Sequence, residues 1–154
     1  MTGKADFTPD EWELVLSAPP GAGLIVATAQ RGGTFRESFS IAKAYTEARQ
    51  RHGESKLLDE ITSAKPEMDV KRYHSAEELE QDLLQRIRDA VALVKGKADP
   101  EETGAYGRFI VDLAKRVAEA HKEGFLGLSG ERVSEAEREA IAKIEQAAGT
   151  AGER

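Results

Sequence analysis

One local device recurs along this chain and restricts its fold more than any other feature: a Ser, Thr or Asp followed three residues later by Glu. In this capping box the first side chain accepts a hydrogen bond from an orphan backbone N–H at a helix start, and the Glu reaches back to the cap residue's own N–H. It occurs at Thr8/Glu11, Thr34/Glu37, Ser75/Glu78, Asp99/Glu102 and Ser134/Glu137. Five helix starts are thereby marked. At the first, Pro9 takes the favoured opening position, and Phe7 and Trp12 have the spacing of a hydrophobic staple.

Between these starts the apolar residues recur at helical spacing. Leu79, Leu83, Ile87, Ala90 and Val94 form one stripe, and Tyr106, Phe109, Ile110, Leu113, Val117 and Ala120 another. Phe35, Phe39, Ala42 and Tyr45 continue the pattern in a helix ended by Gly53, and Ala140, Ile141, Ile144 and Ala148 near the C-terminus. Leu57, Leu58 and Ile61 belong to a further short helix. Pro20 to Arg31, with "LIVATA" at its centre, is apolar all round. At that length it reads as a buried central helix, with a buried strand as the alternative. No alternating pattern of any length is present, and the fold class is all-α, a bundle of six or seven helices.

A chain of 154 residues can bury roughly 70% of its unfolded surface, so residues 1–154 are expected to make a single helical domain. Residues 1–5 and 149–154 are expected to be disordered tails, and 64–74 is the longest connection. No cysteine is present, which removes disulfides, thiolate zinc sites and cysteine nucleophiles and is compatible with a reducing compartment. The opening "MTGKADFTPDEW" lacks the apolar region of a signal peptide, and no segment reads as a span of roughly 20 apolar residues. The expectation is a cytoplasmic protein without a membrane partner. The net charge is −6, and the basic stretch Lys43, Arg49, Arg51, His52 and Lys56 is interrupted by Glu47 and Glu54, so nucleic acid is not the expected partner.

The two halves share a pattern. "TFRESFSIAK" from Thr34 and "SEAEREAIAK" from Ser134 align without gaps, each after a helix ending in Val-Ala-x-Ala and a glycine-containing hinge. Shared composition and an internal repeat of helical hairpins related by pseudo-twofold symmetry both account for it. The second hinge, "GFLGLSGERVSEAE", matches no known loop chemistry. Early calcium-ligand positions carry Gly, Leu and Ser, and the strand and Gly-Lys-Ser/Thr ending of a phosphate loop are missing. Gly124 is placed to end one helix and Ser134 to cap the next. Phe125, Leu126 and Leu128 then either plug the bundle end or form an exposed interaction surface.

Helix, glycine loop and Ser/Thr-x-x-Glu helix in this order loosely resemble tellurite-resistance TerB-like domains and short bacterial helical proteins. The resemblance covers about Leu113 to Ile144, with a weaker copy from Leu24 to Tyr45. It implies a shape only. The acidic Ala-Asp-Gly turn tied to metal binding in that family is replaced by "HKEG" and "QRGG", and metal binding does not carry over.

Reactive groups do not cluster in the sequence. His52, His74 and His121 are far apart, with neither a Glu-x-x-His pair nor His-Glu-x-x-His, and no Gly-x-Ser-x-Gly elbow is found. No metal or other cofactor is expected. His121, beside Glu119, Glu123 and the hinge, is a candidate ligand-binding or proton-transfer group, or a helix-end histidine held by the dipole. Tyr106, between Gly104 and Gly107, is the second ligand-binding candidate, with core packing as its other reading. The leading functional reading is a non-enzymatic protein-interaction or assembly module, homodimeric through Phe125, Leu126 and Leu128 or through the Leu79–Val94 stripe. The other is a small-ligand-binding or catalytic domain with a pocket near the 124–133 hinge.

Overall fold

The structure is a computed structural model, and it describes residues 2–29, 35–51, 55–64, 73–123 and 135–150, with side-chain surroundings left out at 35–40 and 120–123. Six α-helices account for most of it: α1 (Pro9–Ala29), α2 (Phe35–Gln50), α3 (Lys56–Ser63), α4 (Ala76–Lys97), α5 (Pro100–Glu123) and α6 (Glu135–Ala148). A short 3-10 helix, Lys4–Asp6, precedes them, and no strand occurs among the described residues. The all-α bundle is thus realised.

The capping boxes form to different degrees. Thr8 and Glu11 make both bonds, Glu11 N to Thr8 Oγ1 at 3.2 Å and Thr8 N to Glu11 Oε1 at 2.8 Å. Ser75 Oγ accepts from Glu78 N at 3.0 Å, while the Glu78 carboxylate turns to His74 N at 3.4 Å. Asp99 Oδ1 accepts from Glu102 N at 2.7 Å, and the buried Glu102 carboxylate accepts instead from Thr2 N, at 3.2 and 3.3 Å. Thr34 and Ser134 lie outside the described residues. An unforeseen cap, Ser55, accepts from Leu58 N at the start of α3.

Two expectations are corrected here. Within the tail expected at 1–5, the described residues 2–5 are held in place: Thr2 is 5% exposed, its Oγ1 donates to Lys97 O at 3.3 Å, and Lys4 N donates to Glu60. At the other end Gly149, with φ +78°, closes α6 in the left-handed region, and Thr150 is buried; 151–154 lie outside the described residues. The second correction concerns the central helix expected from Pro20 to Arg31. It is not an element of its own but the second half of the single helix α1, which contains Pro19 and Pro20, both buried. At its full length α1 is apolar and long enough to cross a membrane, although here it is packed among four other helices.

A proline inside a helix removes the N–H that the carbonyl four residues earlier would accept. Pro19 therefore orphans Val15 C=O, a residue with no exposure. The Tyr106 hydroxyl, from α5, donates to that oxygen at 2.7 Å. Small residues then let neighbours close on α1. A Cβ at Gly21 would meet Leu83 of α4 at 3.2 Å, and one at Gly23 would meet Ile41 of α2 at 2.7 Å and Val117 of α5 at 3.3 Å.

These pairings fix the topology. Val15 against Tyr106 and Gly23 against Val117 make α1 and α5 parallel and adjacent. Glu11 against Lys97 and Gly21 against Leu83 make α4 antiparallel to α1. Both α2 and α6 pack on α1 and on α5, so the two hairpins share one central pair. The core is built from Ile25, Val26, Ile41, Ile87, Ile110, Leu113, Val117 and Ile144 around Tyr45 and Tyr106.

Candidate functional site

The apolar stripe of α5 faces inward, and its polar side, from Ala105 to Arg116, forms the floor of an open groove of about 710 Å³. Helical spacing produces that floor: Ala105, Phe109, Asp112 and Arg116 recur at three to four residues, with Arg108, Val111 and Lys115 beside them. The end of α2 (Ala48, Arg51) and the start of α3 (Ser55, Leu58, Asp59) raise one wall. Glu145 and Thr150, at the close of α6, raise the other. Apolar and charged side chains share its lining.

Arg116 braces the α2 side. Its Nε donates to Asp112 Oδ2 at 2.9 Å and its Nη1 to Glu47, across to α2. That guanidinium bond holds the Glu47 carboxyl below the usual carboxylate range. Beneath the floor, the Tyr45 ring packs against Phe109 with centroids 5.5 Å apart. Tyr45 is 1% exposed and its hydroxyl has no hydrogen-bond partner among the described residues; burial pushes its pKa well above the ordinary value. Thr150 Oγ1 is likewise buried without a partner among them.

The structure separates the residues that sequence reasoning had grouped. Tyr106 is fully buried, and its hydroxyl is committed to Val15 rather than turned to the groove. Burial raises its pKa too. His121 lies on α5 with its side chain outside the described residues, and His52, Phe125, Leu126 and Leu128 are outside them altogether; His74 is exposed ahead of α4. The Leu79–Val94 stripe is no seam for a second copy, because Leu79, Leu83, Ile87, Ala90 and Val94 are buried in a core where α4 packs on α1 and α6. The basic stretch is divided. Arg49 Nε donates to Thr62 O at 2.5 Å, and Arg51 turns to the groove. The acidic start of α4 is cross-linked, with Glu80 held by Lys143 at 2.6 Å and Asp82 by Arg86 at 3.1 Å. Among the described residues no three metal-ligating side chains converge.

Arg108, Val111, Lys115 and Glu145 had carried no signal in the sequence. They occupy the polar side of amphipathic helices, which reads as solvent-facing until the walls are known. Comparison of the chain with protein-family models, curated proteins and solved structures returned no significant match.

Proposed function

We propose that the chain is a non-enzymatic protein-interaction module that receives its partner in the groove over α5. The observation that supports this is the groove itself, whose lining sets Ala105, Phe109, Val111 and Leu58 among charged side chains, a mixture that protein-binding surfaces share. A photo-crosslinking side chain at Ala105 or Lys115, compared with one at the exposed Ala92 of α4, tests it in the producing cells. Discrete protein adducts at the groove positions, reproduced with the identified protein after purification, are expected. Adducts equal in kind at Ala92, or none at the groove, would end this reading.

A second reading, a small-ligand site, is favoured by the groove's volume, which falls in the range of ligand pockets. It differs in place from the pocket expected near residues 124–133. Native mass spectrometry separates the two, since a retained ligand gives a reproducible excess mass that is lost on acidification.

A further inference from the structure

We infer that α3 is a movable wall of the groove and that the N-terminal arm, residues 2–6, is the clasp that holds it; as a statement about the regulation of that groove, this rests on the reading of the groove as the binding site. The three sides of α3 face three different things. Leu57 and Ile61, four residues apart, are fully buried in the core. Ser55, Leu58 and Asp59 line the groove. Lys56 and Glu60, again four apart, meet the arm: Lys4 N donates to the Glu60 carboxylate, and a Cβ on Gly3 would stand 2.8 Å from that carboxylate and 3.0 Å from Lys56 Cε. One short helix thus joins the arm to the groove.

A helix of 8 residues is marginal in water by itself and takes its place from what it touches. The packing of α3 is on α2 and α5, and Arg49 Nε of α2 donates to Thr62 O at 2.5 Å. The arm adds a tie from elsewhere. Thr2 N donates to the two oxygens of the buried Glu102, near the start of α5, and Thr2 Oγ1 donates to Lys97 O at the end of α4. Hydrogen bonds onto a carboxylate are stronger than neutral ones, and here two carboxylates from different helices accept from backbone N–H groups only two residues apart. Whatever frees one anchor therefore slackens the other. Small units open at less cost than the whole fold, and the clasp sets how much less for α3.

Amide hydrogen exchange of the whole protein under native conditions tests this, with Glu102→Ala and Glu60→Ala set against the unaltered chain. Glu102 lies on α5 and its carboxylate is bonded to the arm, so its effect on α3 passes through the clasp. In both variants the Thr2 and Lys4 amides should lose protection and the α3 amides of residues 59–63 should exchange about tenfold faster or more, while α4 and α6 keep their rates. The chain has no cysteine of its own, so spin labels on Ser63→Cys and Lys115→Cys, both exposed positions, should report a longer or broader distance across the groove in either variant. A freed arm with α3 rates and label distances unchanged overturns the inference; so does an arm that stays protected in both variants, or faster exchange spread evenly over all helices. If Glu102→Ala does not fold, Glu60→Ala, at a half-buried side chain, decides alone. Crosslinking at Ala105 keeps the two readings apart. Adducts identical in yield and partner in all three proteins uphold the interaction reading and reject control by the clasp; a response of α3 with no adduct in any of them upholds the movable wall and rejects the interaction.

Discussion

Two buried tyrosines give opposite expectations from the same chemistry. Tyr106 supplies the donor that Pro19 withholds from Val15, so Tyr106→Phe leaves a buried carbonyl unsatisfied. It should cost about 1–3 kcal/mol, read as a lower urea midpoint at constant slope. Tyr45 spends desolvation on a hydroxyl with no partner, and Tyr45→Phe should leave the midpoint unchanged or raise it. Both hydroxyls are held above their ordinary pKa by burial. Their contribution is therefore complete below about pH 10 and is lost as pH rises past it, because the unfolded tyrosines ionise first. Each accounts for up to about 1.4 kcal/mol per pH unit above that point, and Tyr45→Phe should flatten the alkaline limb of the stability curve by one such increment. The role of Tyr106 was not legible in the sequence. Its flanking glycines drew notice, but the partner is a carbonyl 91 residues away whose orphaning depends on α1 continuing through two prolines.

At the level of helices, the starts were legible where a cap residue is followed three positions on by Glu, as at Thr8, Ser75 and Asp99, and not at Ser55, where that position is Leu58. Local signals failed where tertiary contacts override them. Glu102 leaves its box for Thr2, and the prolines of α1 fail to end it because neighbouring helices and Tyr106 stabilise the continuation. Removing the Ser75 cap by Ser75→Ala should cost about 1 kcal/mol. Two helical glycines separate packing from propensity. Gly96 has open space where a Cβ would stand, so Gly96→Ala should stabilise α4 by up to about 1 kcal/mol. Gly23 is hemmed in by Ile41 and Val117, and Gly23→Val should destabilise by about 1–3 kcal/mol or more. Chemical denaturation of both variants checks the contrast.

Across the whole molecule, the stripes disclosed which faces are buried but not what each is buried against. The Leu79–Val94 stripe could equally have met a second copy; the order of helices around α1 decides that it meets α1 and α6. The groove was hidden for the same reason, as its residues come from four helices and only α5 gives them a common line. The N-terminal arm joins this assembly through Phe7, whose ring lies 5.6 Å from Trp12 and under Lys97. Phe7→Ala should cost about 3 kcal/mol and shift the emission of the single tryptophan to the red, which fluorescence reads directly. The bond between Tyr106 and Val15 also places a clock on synthesis. At about 5–20 residues per second, a ribosome reaches Tyr106 roughly 5–18 s after Val15. For most of that interval α1, the most apolar helix among the described residues, stands with a gap in its backbone ladder and without a complete α4 or α5 to cover it, so the nascent chain presents it to chaperones and membranes before its own second half arrives.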